Sequence, residues 1–115
     1  MEITCITVGM FQVNTYLLRD EATGFCAVVD TGETDELTRQ LQAMTPRPDV
    51  HLILLTHSHI DHAGALVPLQ EAFEATTVLP AKERPLFDLL PEQGAWFNAA
   101  FLNRPCGRID REVVD

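Results

Sequence analysis

Residues 56–62 read Thr-His-Ser-His-Ile-Asp-His, placing three of the chain's four histidines and a carboxylate within six positions. Neutral imidazole nitrogen and carboxylate oxygen are what zinc and similar divalent cations take as ligands, and a catalytic ion keeps one position open for water. Two such ions ~3.5–4 Å apart can share a water, lower its pKa toward neutrality and clamp both oxygens of a displacement. In extended chain, His57 and His59 fall on the same side and can reach one cation. Asp61 and His62 follow as the chain turns, adding an oxygen and a nitrogen donor. A lone histidine is more often an inert polar loop residue. Three together with an aspartate favour metal binding. Ser58, between two candidate ligands, has no separate base to activate it and is not read as a nucleophile.

The elements that must position these residues alternate between strand and helix. The run His51-Leu-Ile-Leu-Leu55 leads directly into the histidines. Leu52 to Leu55 is apolar at every position, as expected of an interior strand covered on both faces. His51 stands at the far end of that strand, roughly 20 Å from His57 at ~3.3 Å rise per residue, too far to share a cation. Upstream, residues 2–8, 14–19 and 25–30 read as strands. A helix follows with Thr34 as N-cap, Asp35 and Glu36 in its first turn, and Leu37, Leu41 and Met44 on one stripe. Pro46 and Pro48 stop it. Residues 63–73 read as a second helix, with Pro68 in its first turns or at a kink. There Asp61 is either an N-cap or a ligand, and capping alone would not explain the histidines. Residues 76–79 read as a strand and 81–90 as a helix interrupted by Pro85. Trp96, Phe97 and Phe101 are read as core packing, within this chain or against a missing second half, with a substrate wall as the alternative.

The segment Thr56-His-Ser-His-Ile-Asp-His-Ala-Gly64 resembles the His-x-His-x-Asp-His signature of the metallo-β-lactamase fold superfamily. Asn14-Thr-Tyr-Leu-Leu18 and Ala27-Val-Val-Asp-Thr-Gly32 resemble the opening of glyoxalase II-like members. The resemblance runs from about Ile3 to Leu79. It implies an α/β (α+β) fold, one half of an αββα sandwich, with a mixed sheet carrying helices on one face. It also implies that His57 and His59 bind one metal, that Asp61 and His62 bind a second, and that Asp61 helps orient the attacking hydroxide. Asp30 is implied as support rather than ligand. The cofactor expected is zinc, two ions in the complete fold, with iron or manganese possible. The reaction implied is hydrolysis of a thioester of the hydroxyacylglutathione type by metal-bound hydroxide, although lactamases, phosphodiesterases and sulfur dioxygenases share the motif.

The chain departs from the family pattern downstream, because no histidine follows His62. Asp110, Glu112 and Cys106 lie there, but nothing in their spacing recommends them. We therefore expect residues 1–115 to be a single partial domain, the N-terminal half of the fold. Two alternatives stand beside the hydrolase reading. One is a catalytically silent metal-binding or interaction half-domain. The other is a homodimer that covers the exposed half-sheet and shares a composite metal site.

The resemblance implies a small-molecule substrate, a thioester or other ester-like compound, and composition argues against other partners. A net charge of −9 with only eight Lys and Arg argues against nucleic-acid or anionic-membrane binding, which needs clustered cations. No apolar run is long enough to span a bilayer. Glu2 stands where a signal peptide would carry basic residues, and Cys5, Cys26 and Cys106 are odd in number without metal-pair spacing, so cytoplasmic residence is expected. Cys5 and Cys26 lie in apolar strand-like segments, where a buried free thiol is the default.

Overall fold

The computed structural model describes residues 1–100 and 103–114, with Phe97 described by its backbone only. Strands β1 (Glu2–Val8), β2 (Val13–Arg19) and β3 (Phe25–Val29) form an antiparallel meander. Helix α1 (Glu36–Ala43) then leads to β4 (Asp49–Leu54), which pairs parallel with β3. Short α2 (Ile60–Ala63) and α3 (Leu66–Phe73) precede β5 (Thr76–Pro80), and α4 (Arg84–Phe87) and α5 (Leu90–Gln93) follow it. A last strand, β6 (Arg111–Val113), completes a six-stranded mixed sheet whose spatial order equals its chain order.

That order decides which face is covered. From β3 to β6 every step is a parallel crossover in the same direction across the sheet. Right-handed crossovers stepping one way deposit all their helices on one side. Ile6, Val8, Leu17, Val28, Ile53 and Leu79 point to that side and are buried with Leu37, Leu41, Leu66 and Leu69 from the helices. The opposite face stays open, with Ile3 66% and Phe25 53% exposed and Tyr16 and Leu52 partly so. The expectation that the strand at 52–55 is covered on both faces is therefore corrected, since Leu52 is 39% exposed. Cys5 is corrected for the same reason: it lies on the open face and is exposed, whereas Cys26 is buried.

This asymmetry gives a stability prediction. Ile53→Ala, fully buried in the central strand, is expected to cost about 2–5 kcal/mol. Leu52→Ala, one residue along on the open face, should cost under about 1 kcal/mol. Urea unfolding of the two variants measures the difference directly.

Several local departures from the sequence reading have simple causes. The helix read over 63–73 is two pieces, because the Ala65 amide leaves the helical ladder to donate to the Gly32 carbonyl (2.9 Å). Pro68 then sits in the first turn of α3, where its missing N–H has no role to fill. The N-cap position of the first helix falls at Asp35, whose side chain makes no capping bond, while the Thr34 hydroxyl accepts the Glu36 amide at 3.3 Å. The segment at 81–90 resolves into a single 3₁₀ turn and α4. Strand β6 was not foreseen, since its three exposed residues carry no apolar alternation. Among the described residues, no helix is long and apolar enough to cross a membrane.

Candidate metal centre

The histidine loop leaves the C-terminal end of β4 beside the loop that leaves β3. In open α/β sheets this edge, beyond the carboxyl ends of parallel strands, is where ligands bind. Two backbone bonds stitch the loops together, Thr31 N–H to the His62 carbonyl (2.8 Å) and the Ala65 amide to Gly32. Gly32 is required at this junction: its φ is +76°, and a Cβ there would lie 2.7 Å from Val8 Cγ2.

At the centre is Asp30, a 4% exposed carboxylate whose own backbone is left-handed (φ 64°). Its Oδ1 accepts the Thr56 amide (2.8 Å), and its Oδ2 accepts both the Thr56 hydroxyl (2.7 Å) and His62 Nδ1 (2.8 Å). These bonds fix which nitrogens carry protons. A carboxylate only accepts, so His62 Nδ1 must donate, and in the neutral ring, the form that binds metal, its Nε2 keeps a lone pair. The Thr56 hydroxyl has one proton and gives it to Asp30. It must therefore accept from His57 Nδ1, 2.8 Å away, which leaves His57 Nε2 with a lone pair as well. One aspartate thus sets the tautomer of two histidines, the arrangement that orients metal-ligating imidazoles.

Potential ligand atoms of Asp30, His57 and His62 all lie within 4.8 Å of one another. Asp30 nevertheless reads as support, because three protein donors already occupy it. The His57 and His62 ring centroids are 4.6 Å apart, and those of His57 and His59 are 6.0 Å apart. Asp61 is not the N-cap of α2; His59 holds that position, in extended conformation. The Asp61 carboxylate instead sits with Oδ2 3.6 Å from His62 Nε2. Two donors on one tetrahedral cation at about 2.0–2.1 Å stand roughly 3.3 Å apart, so this spacing suits a shared ion. His59, Asp61 and His62 line a cavity of about 250 Å³ together with Ile60 and Phe11. Phe11, from the β1–β2 turn, had no signal in the sequence; only the folded hairpin brings it there. That turn is held from below by Glu33, which accepts the Met10 amide, and by Glu36, which accepts the Gly9 amide (3.1 Å).

The other acidic, thiol and aromatic candidates lie elsewhere. Asp110 accepts from Arg108 (2.6 Å) and from the Thr77 amide (2.8 Å), and these bonds hold its carboxyl below the usual range. Glu112 pairs with Arg84, and Cys106 packs against the Phe87 carbonyl with its thiol pushed up by burial. None joins the cluster around Asp30. His51 stacks on Phe25 (centroids 3.9 Å) and bonds Asp49, far from the site as its place in the strand requires. A larger hollow of about 540 Å³, bordered by Arg19, Cys26, Met44 and Asp49, holds none of the histidines. Trp96 is 53% exposed, which does not fit core packing within this chain, and Phe101 lies outside the described residues.

A family model described as the metallo-beta-lactamase superfamily matches residues 8–114. The chain is 32% identical over 98 residues to hydroxyacylglutathione hydrolase GloC of Haemophilus influenzae, covering 84% of this chain and 45% of that one. It is 40% identical over 82 residues to the hydroxyacylglutathione hydrolase of Pseudomonas aeruginosa, covering 69% and 31%. Among solved structures, TTHA1623 in a di-iron-bound form superposes with TM-score 0.74 at 28% identity, over 97% of this chain and 54% of that one. The BLEG-1 B3 metallo-beta-lactamase superposes with TM-score 0.80 at 23% identity, over 97% and 53%, which speaks to fold alone. The chain therefore spans less than half of the length of these two curated relatives.

Proposed function

The chain belongs to the metallo-beta-lactamase superfamily, and from that premise we propose that residues 57–62 form the cation-binding edge of a thioester hydrolase of the hydroxyacylglutathione type. The observation that carries the reading is the Asp30 network, which leaves His57 Nε2 and His62 Nε2 with lone pairs. The donor set fits the metal: imidazole nitrogens at 57, 59 and 62, with the carboxylate at 61. His57 and His59 would hold one ion, Asp61 and His62 the second. When bound, the ions supply an acidified water and polarisation of the thioester carbonyl and leaving thiolate. The protein's own part is placement. Asp30 fixes ring orientation, Asp61 orients the attacking water by accepting one of its hydrogens, and Phe11 and Ile60 give the cavity apolar wall. Zinc is the first choice, and iron is supported by the di-iron form of a structural neighbour. The thioester class is supported by the hydroxyacylglutathione hydrolases among the relatives.

Metal analysis after zinc loading, paired with an assay of S-acylglutathione hydrolysis, tests the reading. The expected result is tightly held zinc and turnover that stops on chelation. Tight metal without turnover would favour the silent half-domain.

The open sheet face supports a second element of the proposal. Ile3, Tyr16, Phe25 and Leu52 form an exposed apolar surface of the kind that recruits a partner. We take a second copy of this chain, packed about a two-fold axis, as that partner, each copy lending its histidine loop to a composite site. Light scattering should then return a dimer, and Phe25→Asp should shift it to monomer. A wild-type monomer at high concentration would remove this part of the proposal.

A further inference from the structure

The side of the histidine loop facing away from the cavity is as fully bonded as the side anchored on Asp30. Ser58 is completely buried, and all three of its polar groups are taken. Its amide donates to Glu83 Oε1 (2.9 Å), its hydroxyl donates to the Glu83 carbonyl (2.8 Å), and its own carbonyl accepts from Gln93 Nε2 (2.7 Å). Glu83 and Gln93 lie 25 and 35 residues further along the chain, on the turn after β5 and at the end of α5.

Gln93 is the telling member. It is fully buried, and its Nε2 also donates to the Leu86 carbonyl (3.0 Å). Its Oε1 has no hydrogen-bond partner among the described residues. A buried amide with an orphaned oxygen is less favourable than an apolar side chain of the same size. Packing alone therefore does not account for a glutamine here. Its donor, aimed at a carbonyl between two histidines, does.

From this arrangement we propose that Glu83 and Gln93 are positioning residues, gripping Ser58 from behind so that His57 and His59 are both turned outward, away from the core. Successive side chains of an extended segment point to opposite sides. With Ser58 held inward, its two neighbours are turned outward together. Thr56 is fixed on Asp30 and Ser58 on Glu83 and Gln93, so the residues on both sides of His57 are anchored. The inference rests on the metal-hydrolase reading for its purpose, but its structural content is separately measurable.

Three variants test it: Gln93→Met, which keeps volume and removes both the donor and the orphaned oxygen; Glu83→Ala; and Glu83→Gln, which keeps an oxygen for the Ser58 amide. Each is followed by thermal unfolding, by amide hydrogen exchange at residues 57–59, and by Co²⁺ affinity with its ligand-field absorption. Gln93→Met should unfold somewhat below the wild-type temperature, because the Ser58 and Leu86 carbonyls lose their donor, and the Ser58 and His59 amides should exchange about tenfold faster. Its Co²⁺ affinity should fall about tenfold with an altered absorption band, as for loss of a supporting partner. Glu83→Ala should behave alike in exchange and affinity, and Glu83→Gln should recover most of both. A lowered unfolding temperature with exchange and Co²⁺ affinity unchanged would reduce both residues to packing and overturn the proposal. If the wild-type chain binds no Co²⁺, the metal reading fails, and exchange at Ser58 still decides whether the grip exists.

Discussion

His57→Ala is expected to lower divalent-cation affinity by more than about 100-fold, beyond the 10- to 100-fold typical of losing a supporting partner, because a ligand itself is removed. The fold should barely register the change. His57 is exposed, and its hydrogen bond is to the Thr56 hydroxyl, which keeps its bond to Asp30. Substitutions at such surface positions usually fall within about 0.5 kcal/mol. His51→Ala is the matched control. It removes an imidazole from the strand that leads into the loop, one that stacks on Phe25 far from the site, and metal affinity should stay at the wild-type value. Isothermal titration with Zn²⁺ in a weakly competing buffer gives both numbers. Equal affinity in wild type and His57→Ala would remove the metal from residues 57–62 and take the hydrolase proposal with it.

What made the candidate site legible was that its donor residues, at 57, 59, 61 and 62, fall within six positions. Spacing alone places His57 and His59 on one side of an extended segment, and an all-apolar run before them marks the strand that delivers them. Asp30 was legible as an aspartate ending a strand, but its three bonds were not. They depend on β3 and β4 being parallel neighbours, a pairing between residues 26 and 24 positions apart in sequence (Asp30 to Thr56, Cys26 to Val50) that no local pattern encodes. Phe11 and the grip on Ser58 were invisible for the same reason. The strands of the meander were readable because alternation and the turn chemistry of Asp20 and Gly24 agree, the Gly24 amide closing the turn on the Asp20 carbonyl at 2.7 Å. The burial of residues 52–55 was misjudged because apolar composition on both faces says that a strand is compatible with two covers. Only the crossover order says that this chain provides one.

Asp30→Asn isolates the role of the buried carboxylate. Asparagine is nearly isosteric and, like aspartate, tolerates the left-handed backbone that residue 30 adopts, so the substitution leaves the turn in place. What it changes is acceptor capacity. The carboxylate accepts three donors, and the amide offers one oxygen and one NH₂ group that can only donate. If the oxygen keeps the Thr56 amide, the NH₂ faces the Thr56 hydroxyl and His62 Nδ1. The hydroxyl can rotate to accept, but it then donates to His57 Nδ1, forcing the proton of that ring onto Nε2. His62 is driven the same way, because its Nδ1 must now accept. Both rings would then carry their proton on Nε2, the nitrogen whose lone pair a metal needs. The expected outcome is a loss of cation affinity of about 10- to 100-fold or more, with a stability cost of about 1–3 kcal/mol from disrupted buried hydrogen bonds. Nitrogen-15 NMR of the metal-free protein reads the tautomers directly. It should show Nδ1-protonated His57 and His62 in the wild type and Nε2-protonated rings in the variant. Thr56→Val cuts only the relay, so it should release His57 while His62 stays fixed. If both histidines kept their tautomers in Asp30→Asn, the carboxylate would be a strut for the loop and the orientation of the ligands would have to come from elsewhere.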